Sequence, residues 1–415
     1  MANTLTDSKR ELWSREMQEY FFNEVVVRGQ ANFRLESELV MGSTIDRVYG
    51  NNGIPQTVAD KYASVTFGDI KNTKEQLVVD QIETIPFKIS ELDEIQMYVG
   101  KREYYTKKFM DVLKLSLNGT YLYEAVNAGQ YLDAADFGGT AALGADITPD
   151  NVLKMFSRAF MKLSRGNTLK PGSMFANITP DIYQALQEAT GYKESAFGDA
   201  VSKDGAIKNY MGFDLYVHNA GYWTGTLYVP TQPTNGDTIT IKRGTTTLTF
   251  TFVSSIGTTA GNVLIGADND TTMASLKALL NAPTTTAADR VGFTSGSDEH
   301  FALMGIAADY STSTDLFTIT WKGAGAPIVS SSFTSANNGW NISGKSAGKN
   351  ISHCLFGVVG AVDFVVQKEI QLDIDKDPNA IKVYLIKPFM MYGKKTFVDG
   401  AKKLVDVKVN TTLYT

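Results

Sequence analysis

Residues 76–96, QLVVDQIETIPFKISELDEIQ, change period half-way along, and that change organises the chain on either side. As far as Ile89, apolar and polar residues alternate, the two-residue repeat of a strand with one buried face. At Ser90 the repeat lengthens. Ser90 with Asp93 and Glu94 approximates a capping box, and Ile95, Tyr98, Val99, Tyr105, Phe109, Val112, Leu113 and Leu117 follow at helical spacing. With Tyr121, Leu122 and Val126 the helix is expected to reach Asn127, weakened locally by Gly100 and Gly119. About 35 residues at ~1.5 Å each give a rod of roughly 50 Å, long for a helix of a globular enzyme.

Upstream, STIDRVYG (43–50) reads as the strand partner of this stretch. Asn51, Asn52, Gly53, Pro55 and Gly68 punctuate a long hydrophilic join between the two. Compact domains rarely hold such joins without a purpose, so an extended hairpin reaching away from the body is expected. Ahead of it, Leu12, Trp13, Met17, Tyr20, Phe21 and Val25 fall near one face of a helix over residues 6–28, with Thr6 or Asp7 as cap and Gly29 as stop. Aromatics this dense near a terminus need a partner surface, on this chain or on a neighbour.

Downstream, ITPDNVLKMFSRAFMKL (147–163) predicts a helix with Thr148 as cap and Pro149 in its first turn. SMFANITP (173–180) predicts a short strand, TPDIYQALQEATG (179–191) a second helix, and GFDLYVHN (212–219) a further strand. This order reads as an α/β layer. From residue 222 to about 350 the character changes: charge thins, and Thr, Ser and Gly dominate. Two strand pairs are expected there, DTITIKR (237–243) with TTLTFTFVSS (246–255), turning at Arg243 and Gly244, and HFALMGIAA (300–308) with DLFTITWKG (315–323). Between them NDTTMASLKALLNA (269–282) predicts a helix with Met273, Leu276, Leu279 and Leu280 on one side. The expectation is a ββαββ module that folds on itself and contains no helical partner for the rest of the chain. From 351 the β-branched, alternating sequence resumes.

Chemistry is sparse. At 415 residues and 43% hydrophobic content the chain can build two or three cores, and a net charge of −5 disfavours a dedicated nucleic-acid binder. The one cysteine, Cys354, lies in an apolar run and is expected to be buried and inert. The first residues lack the apolar core of a signal peptide, and no run of about 18 apolar residues predicts a membrane span, so synthesis and assembly in a cytoplasm are expected. His218, His300 and His353 stand in no metal spacing. No GxSxG, GxGxxG or P-loop pattern occurs, and KGAGAP (322–327) reads as a loop. Asp373, Asp375 and Asp377 start like a calcium loop, but Pro378 and Tyr384 occupy the positions that need Gly and Glu, which leaves a solvated loop. GADNDTT (266–272) fails likewise, with Asp270 expected to cap the helix after it. Lys101, Arg102, Lys107 and Lys108 read as a solvated helix face with Glu103 and Asp111 as partners. No catalytic, cofactor-binding or metal residue is assigned, and a structural, non-enzymatic role is expected.

The assembled order resembles the major capsid proteins of tailed bacteriophages, with the Hong Kong 97-type fold. The sharpest match is residues 76–96, a strand carrying Asp-Gln, an aromatic-plus-Lys strand end, then an acidic entry to a spine helix; GFDLYVHN is similar to the family's axial-domain strand. The resemblance implies an α+β chain: an N-terminal arm at 1–45, an extended loop at 46–88, a peripheral domain with its spine helix at 89–145 and 373–415, and an axial domain at 146–221 and 351–372. Residues 222–350 fit an inserted, mainly-β domain. It further implies self-assembly into hexamers and pentamers of an icosahedral shell enclosing double-stranded DNA, with scaffolding, portal and decoration proteins as partners. DNA contact would be weak and non-specific, with no membrane and no cofactor, in a virion assembled in the bacterial host's cytoplasm. No N-terminal scaffolding segment is expected and no cross-linking Lys–Asn pair is carried over. Two other readings remain beside it: an encapsulin-like bacterial compartment shell of the same fold, and a surface or tail-associated protein whose Thr-rich module binds glycans.

Overall fold

The computed structural model describes residues 26–39, 42–50, 72–90, 101–139, 144–166, 172–191, 207–218, 220–243, 246–324, 328–335, 351–377 and 383–410, with a few single positions between. The helix expected over 6–28, the middle of the extended hairpin and the entry to the long helix at 91–100 lie largely outside them.

In chain order, a short helix α1 (Val27–Gln30) precedes strands β1 (Thr44–Gly50), β2 (Asn72–Val78), β3 (Gln81–Thr84) and β4 (Phe87–Ser90). The long helix α2 (Lys101–Leu122) continues as a tighter turn over Tyr123–Asn127, followed by β5 (Gln130–Leu132), α3 (Val152–Arg165), β6 (Met174–Ile178) and α4 (Pro180–Gly191). Then come β7 (Asn209–Tyr210), β8 (Phe213–Val217), β9 (Ala220–Tyr228), β10 (Thr238–Arg243), β11 (Thr246–Val253), β12 (Asn262–Leu264), α5 (Asn269–Asn281) and α6 (Asp298–Leu303). The chain ends with β13 (Ile306–Ser311), β14 (Leu316–Ala324), β15 (Ile328–Ser332), β16 (Ile351–Val358), β17 (Asp363–Lys376), β18 (Val383–Lys395), α7 (Val398–Ala401) and β19 (Leu404–Asn410).

The main sheet has nine strands. Its path runs β13-β14-β9-β16-β6-β8-β7, with β19 on the other edge of β16 and β5 beyond β19. Alternation along β16 and β6 sorts its two faces. Cys354, Phe356, Val358, Met174, Ala176 and Ile178 join the core under α3 and α4. Leu355 and Phe175 join the opposite core, built with Leu113, Tyr121 and Leu122 of the long helix and Val26 and Val27. All five residues of β6 are buried, as a strand covered on both faces requires. A second sheet joins β17 to β18, and the far edge of β18 carries β3 and β4 end to end. β1 and β2 form a separate antiparallel ribbon, from Thr44 opposite Val78 to Gly50 opposite Asn72.

Residues 220–339 hold a third core. Sheet β12-β11-β10-β15 and strands β9, β14 and β13 enclose Phe250, Phe252, Leu276, Leu280, Phe317 and Ile319. The expected pairs are present: β10 with β11, two residues apart at the turn, and β13 with β14. The expectation that this region folds only on itself is corrected. β9 pairs with β14 along its whole length and with residues 351–353 of β16, so three of its strands extend the main sheet. The long helix packs against β9 and β14.

Further expectations are also revised. Residues 300–303 are helical: Ser297 accepts the His300 N–H at 3.2 Å and starts α6, and Gly305, at φ +82°, turns the chain into β13. The division expected at 372/373 falls inside β17, which pairs with β18 on both sides of it, and β19 belongs to the main sheet. Lys322 and Gly323 lie in β14. Asp373 and Asp375 lie in β17, where extended backbone puts them on one face beside Lys387; Asp375 pairs with it at 3.2 Å. Asp268 caps α5, its carboxylate accepting the Thr271 N–H at 2.7 Å, while Asp270 in the first turn accepts from the Tyr310 hydroxyl.

Phe317→Ala, which empties a fully buried ring site in the 220–339 core, should lower stability by about 3–5 kcal/mol. Chemical denaturation followed by far-ultraviolet dichroism measures it. A loss below about 1 kcal/mol would mean that this core is not packed as described.

Candidate functional site

A buried polar cluster lies where β9, β16, β19 and the end of the long helix meet. His353 Nδ1 stands 2.8 Å from Asp406 Oδ2, and its Nε2 stands 3.1 Å from Thr224 Oγ1. A carboxylate only accepts, so Nδ1 donates to Asp406, and in the neutral ring Nε2 accepts the Thr224 hydroxyl proton. Both members of the pair are less than a tenth exposed. The Tyr222 ring packs on His353 with centroids 4.7 Å apart and meets Tyr123 edge-on at 4.7 Å. Burial, then the proximity of Tyr123 and Asp406, pushes the Tyr222 phenol well above its ordinary range. Lys394 lies over the Tyr123 ring at 4.8 Å and pairs with buried Glu124 at 2.7 Å. Burial alone would raise the Glu124 carboxyl; Lys394, with Thr396 and Asn127 donating, outweighs it and holds the group below the usual carboxylate value.

A Thr–His–Asp line has the composition of an activated nucleophile. Its setting does not suit that chemistry. Thr224 sits mid-sheet between Ile351 and Thr320, so its backbone groups serve the two ladders rather than a developing oxyanion. What the arrangement does is clamp: one imidazole ties β9 to β16 and β19, and the aromatic stack ties that seam to the long helix.

The other distinctive feature is the β1–β2 ribbon. Its base is fixed to the body. Leu77 is fully buried beside Leu35, Leu39, Val365 and Phe397. The Arg47 guanidinium pairs with Asp363 at 3.0 Å and lies over the Phe397 ring at 5.0 Å, while Asn32 also donates to Asp363. Burial pushes the Asp363 carboxyl up, against the pull of Arg47 and Asn32. Lys402 donates to the Tyr49 hydroxyl at 3.1 Å. Beyond that base little of it is covered: Leu77 is the one buried residue of its fourteen, and Val48 is 69% exposed.

No family model matches the sequence, and no curated protein matches it. Solved structures do match. A chain from Mycobacterium phage Che8 is similar with a TM-score of 0.54 at 13% identity, over 96% of each chain. A chain of the capsid of Cyanophage P-SCSP1u is similar with a TM-score of 0.53 at 10% identity, over 99% of this chain and 96% of that one. The chain has a phage-capsid fold.

Within the capsid fold the residues weighed for chemistry fall apart. His218 is buried, with Nε2 3.2 Å from Asn177 Oδ1, and His300 accepts the Gly296 N–H, so the three histidines occupy three separate places. Among the described residues no three His, Cys, Asp or Glu side chains gather as metal ligands. Cys354 is buried, and burial pushes its thiol up to about 12. Lys114 pairs with Asp111 on the long helix, an ion pair within one turn. Sequence reasoning missed the Thr224–His353–Asp406 clamp, whose neighbouring members lie 129 and 53 residues apart, and the Glu124–Lys394 pair, 270 residues apart, with no spacing to signal them.

Because the Glu124 value is depressed in the fold, its contribution is present above the unfolded carboxylate range, near 4.3, and is lost as pH falls through the lower folded value. The unfolding free energies of wild type and Glu124→Gln should differ most above about pH 5, and the difference should shrink steadily as pH falls below about 4. A pH-independent difference in urea titrations would contradict this account.

Proposed function

We propose that this chain is the major capsid protein of a tailed bacteriophage, self-associating into hexamers and pentamers of an icosahedral head that encloses double-stranded DNA. The observation that carries this reading is the two-way coverage: chains of two phages, one of them from a capsid, align over almost their entire length and almost the whole of this chain. Physical chemistry supports it. An isolated two-stranded ribbon is marginal in water, and this one buries a single side chain of fourteen within its own subunit. A neighbouring copy supplies the missing contact area, as obligate assemblies do.

In this reading residues 1–45 are the arm and 46–88 the extended loop. The second sheet with the long helix makes the peripheral domain, and the body of the main sheet with α3 and α4 makes the axial domain. Residues 220–339 are an insertion that faces the shell exterior or braces adjacent subunits. Scaffolding, portal and decoration proteins are its partners, and a net charge of −5 leaves DNA contacts weak and non-specific. Assembly takes place in the host cytoplasm. An encapsulin-like shell would share this fold and differ in cargo.

Electron microscopy of the purified protein, expressed alone and with its neighbouring genes, tests the proposal. Closed shells of hexamers and pentamers, with nuclease-protected DNA in particles from infected cells, are expected. A protein that stays monomeric under every such condition would overturn it, and shells that hold a copurifying enzyme without DNA would move it to the compartment class.

A further inference from the structure

Between the long helix and strands β17 and β18 lies an open, mostly apolar groove of about 470 Å³, within the size range of binding pockets. Met110 and Leu117 line one wall, Ile370 and Met390 the other, and Arg28 and Lys114 add positive charge. β17 is irregular here: its register against β18 shifts between Val366 and Lys368 and again between Lys368 and Gln371. Such bulges bend a strand and re-aim its side chains. Ile370 lies within the second shifted stretch.

The chain enters beside this groove. Val26 is buried, and its N–H donates to Asn118 Oδ1 at 3.1 Å, one residue beyond Leu117 on the long helix. Whatever precedes Val26 therefore starts within about one turn of the groove's wall. What precedes it is the aromatic segment, with Trp13, Met17, Tyr20 and Phe21 at the spacing of one helix face. Residues 12–25 carry three glutamates against one arginine, complementary in sign to Arg28 and to Lys114, which also pairs with Asp111.

We infer that this groove is the docking site of the chain's own residues 12–25. Six residue steps lead from Val26 to Tyr20, about 9 Å if helical and at most about 20 Å if extended, and nine lead to Met17, about 14 Å if helical, so Met17, Tyr20 and Phe21 all reach it. The tether favours the same chain over a second copy, because a short linker holds the segment at an effective millimolar concentration. The docking covers an aromatic segment that would otherwise expose Trp13, Tyr20 and Phe21 in the unassembled subunit. It does not depend on the capsid reading.

Cysteine pairs in dilute, unassembled full-length protein test this. Phe21→Cys is combined with Ile370→Cys in the groove, or with Lys114→Cys on its exposed edge, should the first pair not fold. Exposed Lys154→Cys on α3 serves as the distant control, and native Cys354 is buried. A short bismaleimide is added to mixed isotopically light and heavy chains, and linked peptides are read by mass spectrometry. Links within one chain, about tenfold above the control pair, are expected. Mixed light–heavy links would give the groove to a second copy and overturn the inference. So would a yield equal to the control.

Discussion

The edge of β16 is the constraint on which the rest of the molecule depends. Residues 356–358 of that edge bind β6, residues 351–353 bind β9, and the opposite edge binds β19 along its length. A slip of one residue would turn Cys354 and Phe356 away from α3 and α4 and drive His353 into the apolar core. The clamp argues for one register, because only there does one imidazole meet Asp406 and Thr224 together. A buried pair of this kind contributes less to net stability than apolar side chains of equal volume would, yet breaking it costs several kcal/mol. Its contribution is therefore to discrimination between registers. The same holds next door, where buried Glu124 is tolerated because Lys394, Thr396 and Asn127 satisfy it together.

The body and the ribbon solve the burial problem differently. In the body both faces of the main sheet are closed by helices, and its cores are continuous across elements distant in sequence. Among its described residues the ribbon is closed at its base, by Leu77 and by the Arg47, Asp363 and Asn32 contacts. Those contacts set its direction of departure without covering it. Its base is fixed while its described strands stay largely exposed.

What could be read in the sequence follows from the range of each interaction. α3, α4 and α5 and the β10–β11 turn are set by local period and turn residues, but the caps moved: α3 starts at Val152 behind Asn151, with no side-chain cap from Thr148, and α5 is capped by Asp268 and not Asp270. β9 was hidden. AGYWTGTLY carries aromatics on both parities because one face meets the 220–339 core through Trp223 and the other meets His353 and Tyr123 through Tyr222, so no clean alternation marks it. Asp373 and Asp375 looked like a loop because ligand spacing and strand spacing coincide at every second residue, and a paired strand opposite decided between them. Asp268 and Asp270 are both plausible caps by composition; the carboxylate that reaches the Thr271 N–H is fixed by where α5 meets the sheet. The clamp joins residues from three strands, and nothing local encodes it.

This arrangement also explains how a long segment can stand between β8 and β16 without disrupting the sheet. Its ends lie side by side: Thr224 opposes Ile351, and Tyr228 and Gly339 exchange backbone hydrogen bonds across the base. Closing a loop whose ends already meet adds little entropy cost with length. The segment does more than fit, however. β6 is short and leaves residues 351–353 of β16 unpaired, an open edge of the kind that proteins cover or charge. β9 covers it, and Tyr222 fills the space between His353 and Tyr123. Removing the segment outright would expose that edge and empty the aromatic stack beside a buried carboxylate. Of the two, the stack is the harder to replace, since any loop can pair an edge but only a ring at residue 222 spans the gap between the imidazole and the end of the long helix.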